Sequence, residues 1–559
     1  MRRFLIGIIL LASLTSSQAS VITVGQQGCD FYRIEAAIDS AGPGDIIEVH
    51  SGEYSVNLNI TTSFLVLRGV DTGEGRPVLR AGSSTADIEE RGTGITEMVV
   101  KSGGTAIAIR ELGCTVEGFD ITGVTWPVPY GSGEHNDLIG DAAIRVYSDL
   151  NTISNNTFYG NDLTAIGLWN CSNNKILNNT IKDIPYGYAI NLYNSHSNEI
   201  EGNQLIHNDW GIEMQRSDSN IVKENEIRES INDAINAMKC NYSIISDNIM
   251  VGSGQESEFE GNGNGLSLVG SVSLIANNVI MSNRGHGIYI QSLLWDNYPA
   301  DESYDNLIDR NKIRYNGKDG IRLEKSWNNY LLENNITANH GDGMRFVSSH
   351  NNTVESNNIS KNEHGIYLDQ CNYTKIANST IIEEAKSGIL LWLCKEASIE
   401  KNSLQGNLRG ILLEESCTGN VLAANNISNS TEGINISGRC YDNTVVSNKI
   451  SSCQIGIALA QAERNSLKAN EIFQNQRGLV IDSLSGNNAV YENSLSSNGE
   501  TVWDEGNNLW DDAAKGNYYG HVDCRDSNGD GICDSPYSVA GGSNVDRYPL
   551  ATWVSRPEA

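Results

Sequence analysis

Basic residues are scarce in this chain. Its 559 residues hold 39 Lys and Arg against 69 Asp and Glu, a formal net charge of −30. Nucleic-acid backbones and anionic membrane surfaces both ask for a basic footprint, so the balance argues against either partner. Charge of any sign is thin, at 19% of residues, which argues against a charge-driven disordered chain and a long coiled coil. Long apolar runs are missing apart from Phe4 to Leu14. That run is too short to span a bilayer comfortably, so no transmembrane anchor is expected. Proline is rare, 9 residues beside 55 Gly. The polarity that is present comes from uncharged Asn and Ser.

The apolar run reads as a targeting segment. Arg2 and Arg3 precede it and Ser17-Gln18-Ala19 closes it, which predicts a secretory signal over 1–19. No cysteine near that point indicates a lipid anchor. The expectation is a secreted or cell-surface protein, periplasmic in a host with two membranes. Export permits disulfides among the 11 cysteines. Sequons such as Asn59, Asn170, Asn241, Asn335, Asn372 and Asn435 permit glycosylation.

What the chain has in abundance is a period. Gly320, Gly343, Gly365, Gly388, Gly410, Gly433, Gly456 and Gly478 are 22 or 23 residues apart. Cys371, Cys394, Cys417 and Cys440 keep a spacing of 23, and Asn306, Asn329 and Asn352 repeat it. Each unit holds two or three short alternating strands, such as Gly365 to Leu368. Gly and Asn are expected at the corners because they tolerate left-handed backbone. One unit cannot bury its apolar face alone, so units must stack into an all-β solenoid. Like residues then stand one above another, and Asn columns can share amide hydrogen bonds along the stack. At ~4.8 Å per coil, 149–498 makes about fifteen coils and a rod of roughly 70 Å. The expected organisation is a cap with first coils over 20–148, the repeats over 149–498, and a closing module over 499–559.

The segment from Phe31 through Ile34-Glu35-Ala36-Ala37-Ile38 to Ile46-Ile47-Glu48-Val49 resembles the capping helix and first strand of the right-handed parallel β-helix superfamily, which includes pectate lyases and polygalacturonases. The closing segment Gly516-Asn517-Tyr518-Tyr519-Gly520 through Val545-Asp546-Arg547-Tyr548-Pro549-Leu550 is similar to NosD-like surface proteins of archaea and bacteria, which carry the carbohydrate-binding and sugar-hydrolysis repeat. The resemblance implies a right-handed parallel β-helix with an N-terminal capping helix. Fold alone does not fix activity.

Stacking allows columns to be read as sites. Just before the corner Gly stand Asp233, His286, Asp319, Asp342 and His364, the candidate catalytic residues. Two and four positions after it, facing out, stand Tyr289, Arg322, Arg345 and Tyr367, then Asp369 and Trp392; these and Trp295 are the candidate substrate-binding residues. Loops over 124–137, 251–262 and 292–305 supply acidic and aromatic walls. Asp319 and Asp342, one coil apart, fall near the ~5 Å carboxyl spacing of retaining glycosidases. Arg322 and Arg345 suit a uronate carboxylate, and His286 or His364 suits acid–base work. Gly285-His286-Gly287 is similar to the Gly-His-Gly motif of polygalacturonases, although Asn232-Asp233 stands where that family pairs two Asp.

Two further features carry chemistry. Asp526, Asn528, Asp530 and Asp534 occupy positions 1, 3, 5 and 9 of an EF-hand-like loop with Gly531 at position 6, so Ca²⁺ is the expected cofactor. The twelfth position holds Tyr537 in place of Glu. Cys524 and Cys533 are placed to staple the loop. The Cys371–Cys440 column allows either disulfides 371–394 and 417–440 or buried thiols, since stacked Cα atoms lie within disulfide reach. The function expected is binding of an extracellular polysaccharide through coils 233–369. The alternatives are a lyase, epimerase or glycoside hydrolase using the same face, and a structural envelope protein that packs against surface-layer neighbours.

Overall fold

The computed structural model describes residues 19–82, 104–125, 142–257, 263–292 and 302–553. The expected signal segment up to residue 18, the 124–137 loop from residue 126, Glu258 and Glu260, and Trp295 to Asp301 lie outside the described residues.

The chain is a parallel β-solenoid of about 19 turns. Each turn contributes one strand to each of three sheets. In one turn these are Ile366–Asp369 in sheet C, Lys375–Ala377 in sheet A and Thr380–Ile382 in sheet B, before the next sheet C strand Ser387–Trp392. Strands of three to six residues are far too short to persist alone. Stacking supplies what they lack, because every strand pairs in parallel with the strands one coil above and below. The pairing Thr353↔Lys375↔Ser398 in sheet A carries no register slip.

In sheets A and B the central residue of each three-residue strand points inward. Ile376, Ile399, Leu422 and Val445 form one buried stack, and Ile381, Leu404, Ile427 and Ile450 another. Burying one such side chain contributes about 1.5–3 kcal/mol. The predicted cap is present as the helix Ile34–Ser40, whose Ile34, Ala37 and Ile38 are buried at the N-terminal end. At the other end, Asp504 accepts from Trp510 Nε1 and Asn544 Nδ2, both at 2.8 Å, and roofs the last coils.

Buried Asn ladders hold the corners. In the ladder between sheets A and B, Asn334 Oδ1 accepts both the backbone N–H and the Nδ2 of Asn311 at 3.0 Å. Asn334 then donates to Asn357 Oδ1 from its own N and Nδ2, at 2.9 and 3.0 Å, and to Ile308 O at 2.8 Å. The relay runs on through Ser379 and ends on Asn517, whose N–H meets Asp546 Oδ2 at 2.7 Å in the closing module.

The reason expected for the corner residues holds only in part. The left-handed position just before this ladder is filled by Asn155, Asn178, Gly202, Asn277 and Asn378 as expected, but also by Glu333, Ser356, Lys401 and Ala424, with φ of 51, 58, 55 and 54°. Such φ values cost about 1–2 kcal/mol each for a residue with a Cβ, and the ladder bonds offset that strain whatever the side chain. The periodic glycines, by contrast, are not left-handed. A Cβ on Gly343 would stand 2.6 Å from Gly365 O and 2.6 Å from Ile359 Cγ2. They are glycine because the next coil passes too close for anything larger.

Asn334→Ala should strip partners from two buried donors of Asn311 and from Ile308 O, lowering unfolding stability by about 2–4 kcal/mol. Asn334→Ser, the substitution nature makes at position 379, should cost clearly less. Denaturant unfolding of both variants checks this, and equal losses would show that the amide adds nothing over a hydroxyl.

Candidate functional site

Sheet C strands of four to six residues present two outward positions per coil beside the corner. Its register brings the predicted columns together: Ser267↔Tyr289↔Arg322↔Arg345↔Tyr367 in one, and Gln291↔Glu324↔Val347↔Asp369↔Trp392 in the other. Four successive coils carry a palindrome. His286 and Tyr289 are followed by Asp319 and Arg322, then Asp342 and Arg345, then His364 and Tyr367. Each pair is three residues apart, and the imidazole and phenol rings lie 5.3 and 5.6 Å apart at the two ends.

The column before the corner is itself a ladder, built in the opposite sense to the Asn ladders. Asn264 Oδ1 accepts the N–H of His286 at 2.7 Å, and His286 Nδ1 accepts that of Asp319 at 3.1 Å. Asp319 Oδ1 takes the N–H of Asp342 at 2.9 Å, Asp342 Oδ1 that of His364 at 3.2 Å, and His364 Nδ1 that of Ser387 at 3.2 Å. All five candidate catalytic residues are buried. Asp233 is also fully engaged, with Oδ1 on the N–H groups of Gly263 and Asn264 at 2.7 Å and Oδ2 on Ser267 Oγ at 2.6 Å.

These bonds fix protonation. A ring nitrogen that accepts a backbone N–H carries no proton, so both histidines are neutral with the proton on Nε2. Burial, seconded by Arg322, pushes His286 down to about 3, and burial, seconded by Lys386, pushes His364 down to about 4. The 3.4 Å approach of His286 Nδ1 to Asp319 Oδ2 is therefore not an ion pair. Burial raises Asp319, and burial with the neighbouring Asp319 raises Asp342 to about 7.

The two arginines differ. Arg322 is fully engaged: its Nε meets Glu324 Oε1 at 2.7 Å, its Nη2 binds the same oxygen, and its Nη1 lies 3.3 Å from Asp319 Oδ2. Tyr289 Oη donates to Glu324 Oε2 at 2.7 Å. Burial works to raise Glu324, but the bonds from Tyr289 and Arg322 overcome it and hold its carboxyl below the usual range. Arg345 is not so engaged. Its guanidinium lies 4.6 Å over the Tyr367 ring, its Nη1 approaches Asp342 Oδ2 only to 3.5 Å, and its buried Nε has no hydrogen-bond partner among the described residues. Asp369 and Trp392 sit half-buried at the C-terminal edge of this group.

Column reading stopped short on the N-terminal side. Trp169, Tyr188 and Tyr193 continue the same outward face and escaped notice, although the same 22–24-residue arithmetic extended back two coils finds them. Glu324 was read as one column member and is the hub joining Tyr289 to Arg322.

Elsewhere, Cys524 and Cys533 are joined by a disulfide. Within the loop they bracket, Asp526 accepts the N–H groups of Gly529 and Gly531 at 2.7 and 2.9 Å, and Asp530 that of Ile532 at 2.9 Å. Asp534 turns to Ser527 Oγ at 2.6 Å. Among the described residues no three His, Cys, Asp or Glu side chains gather as a metal-binding group. Cys371, Cys394, Cys417 and Cys440 are buried free thiols. Each Sγ of Cys394 and Cys417 accepts the N–H of the cysteine one coil earlier, at 3.4 and 3.3 Å, the task that serine performs at Ser349. Among the described residues no helix is long and apolar enough to cross a membrane.

A parallel solenoid with this face defines a β-helix protein. The chain belongs to the right-handed β-helix family: "Right handed beta helix region" matches residues 112–255, 164–297 and 299–427, together more than half of the sequence. Residues 377–524 also match the model of the family "Periplasmic copper-binding protein (NosD)". Among solved structures, the A-module of mannuronan C-5 epimerase AlgE4 from Azotobacter vinelandii is similar at 16% identity over 68% of this chain and 92% of its own, with a TM-score of 0.38. The periplasmic alginate epimerase AlgG is similar at 13% identity, 76% and 77% coverage and TM-score 0.33. A mutant DFA-IIIase from Arthrobacter chlorophenolicus A6, in complex with DFA-III, is similar at 14% identity, 60% and 85% coverage and TM-score 0.35. No curated protein matches in sequence.

The buried acids give a pH signature. Burial raises Asp209, Glu213 and Asp342 to about 7 and Glu384 to about 8. Unfolded, these groups are ionised above about pH 5; folded, they still hold protons at neutral pH, so the folded state binds more protons than the unfolded one. Stability should therefore fall as pH rises from about 6.5 to about 8.5, a window above the histidine titrations. Thermal melts across that window check it, and Glu384→Gln should flatten the slope.

Proposed function

We propose that the four-coil face from His286 to Tyr367 binds a polysaccharide outside the cytoplasm, with a preference for chains bearing carboxylates. The observation that carries this is Arg345, whose partly exposed guanidinium lies 4.6 Å from the Tyr367 ring centroid and reaches its nearest carboxylate, Asp342 Oδ2, only at 3.5 Å. A guanidinium so placed meets a carboxylate with charge-assisted bonds and loses little ordering entropy in doing so. Tyr289 and Tyr367 offer ring faces at the two ends, three coil steps or ~14 Å apart, on which pyranose rings can stack.

Bond-breaking chemistry on the same face is the second reading. It is favoured by the Nε2–H of His286 and His364, hydrogen-bond donors available to a developing negative charge, and by the proton that Asp342 retains near neutrality. It is weakened by burial, since Asp319 and Asp342 each commit Oδ1 to the backbone and do not stand open on either side of a glycosidic bond.

A glycan array with reducing-sugar and unsaturated-uronate assays separates the readings. Binding without product is expected, and Arg345→Ala should weaken it about tenfold or more, the loss of a hydrogen bond to a charged group. Product that disappears in Asp319→Asn and His286→Ala would replace binding with catalysis. Absence of any glycan ligand would leave a structural envelope role.

The Cys524–Cys533 loop is proposed to take Ca²⁺. Its support is the Asp526, Asn528, Asp530 spacing with Gly531 at φ 86°, while Asp534, turned to Ser527, would have to swing in. A chelator should lower the melting temperature of the disulfide-intact protein, and Asp530→Ala should abolish the difference. A melt indifferent to chelator would remove calcium from the account.

A further inference from the structure

The outward face of sheet C does not end at the four-coil site. Toward the N-terminus it carries Trp169 and Tyr193 in the column that later holds Glu324 and Asp369. In the column that later holds His286 and Asp319 it carries Tyr188 and Trp210. Trp169 and Tyr193 are stacked, with ring centroids 4.4 Å apart at 19°, and Tyr188 and Trp210 lie 6.3 Å apart at 44°. All four are half-buried, and none belongs to the core. Two aromatic walls thus stand at opposite ends of the same strands, ~17 Å apart along the backbone.

Between the walls the floor is low. Asn191 is buried and Gly167 has no side chain. Gly167 is unlike the corner glycines: a Cβ there would meet only Ala142 Cβ at 3.2 Å and Thr164 Cγ2 at 4.0 Å, with no backbone in the way. Packing of the next coil does not dictate glycine at 167. Beyond the walls, Arg110 and Arg145 sit 4.9 and 5.2 Å from the Tyr147 ring centroid and place cations at the far end of the same face.

We propose that Trp169, Tyr193, Tyr188 and Trp210 form a second platform for the same polysaccharide chain, so that the protein binds long chains at two points. The proposal rests on the reading of the four-coil site as a glycan face, and what joins the two is shared register on one uninterrupted sheet. From the Thr164 coil to the His364 coil there are about eight steps, ~38 Å. The gap between the platforms, from the Trp210 coil to the His286 coil, is three steps or ~14 Å, so a chain much shorter than ~38 Å fills one platform and at most the near edge of the other, whereas a longer one fills both and gains avidity without any new protein contact elsewhere.

The test uses the full chain and oligogalacturonates of two lengths, a tetramer and a dodecamer, with calorimetry and intrinsic tryptophan fluorescence. The dodecamer should bind about tenfold tighter than the tetramer, and it alone should perturb the emission of Trp169 and Trp210. In a Trp169→Ala/Trp210→Ala variant that melts like the parent, dodecamer affinity should drop to that of the tetramer while tetramer affinity stays put. Gly167→Leu, which fills the floor and leaves all four rings, should do the same. Arg345→Ala should weaken both lengths. If Arg345→Ala weakens both but the two lengths bind alike and the tryptophan variant is silent, the second platform is wrong and the first stands. If neither length binds, both are wrong.

Discussion

The constraint on which this structure depends is that every coil must be satisfied by the coil next to it. A three-residue strand has no partner within its own coil, and the corner that follows it buries backbone groups that water cannot reach. The Asn ladders meet both demands at once, since one amide accepts twice from the coil before and donates onward to the coil after, as Asn334 does. Such a polar column costs free energy wherever it is broken, because an unpaired buried donor keeps its full desolvation penalty. This is why the ladder continues into the closing module and terminates on a carboxylate, Asp546, that accepts without having to donate.

Function exploits the least demanding of these columns. The position before the sheet C corner needs only an acceptor for one backbone N–H, and amide, imidazole and carboxylate all provide it. Asn264, His286, Asp319, Asp342 and His364 follow one another there without disturbing the register. Titratable groups are thereby placed in rows at coil spacing, and the scaffold supplies their orientation. The same bonding decides what they can do: imidazoles with Nδ1 committed are donors at Nε2, and carboxyls with Oδ1 committed have only Oδ2 left, which in Asp319 already meets Arg322 Nη1. Reactivity is narrowed by the structural duty of each residue before any ligand arrives.

Much of this was legible in the sequence, for a physical reason. A solenoid converts neighbourhood in space into a fixed interval in the chain, so the spacing of Gly320 to Gly478 and of Asn306 to Asn352 amounted to contact information. The columns holding Tyr289, Arg322, Arg345 and Tyr367 came out in register for the same reason. What period alone does not encode is why a residue recurs. Left-handed backbone and close approach both favour glycine, and only geometry showed that Gly343 answers to the second. Likewise a spacing of 23 between cysteines is compatible with bonds or thiols, and the thiols proved to be substitutes for serine in a hydrogen-bonded column. Trp169 and Tyr193 were hidden because their coils lack the corner glycine that marks the repeat.

The charge of the chain also has to be read through the fold. A formal −30 counts every Asp and Glu as ionised. Yet Asp209, Glu213 and Asp342 titrate at about 7 and Glu384 at about 8 because burial penalises their charged forms. Asp342 lies beneath the proposed sugar site, while Asp209 and Glu213 lie in the Trp210 coil, at the edge of the aromatic walls nearest that site. At neutral pH this strip is less negative than its composition implies. An acidic protein can thus present Arg345 to an anionic ligand without surrounding it by repulsion, provided the carboxyls below remain dry. Water exclusion at the ladder is then part of ligand selection as well as of stability, and both would weaken together on the alkaline side.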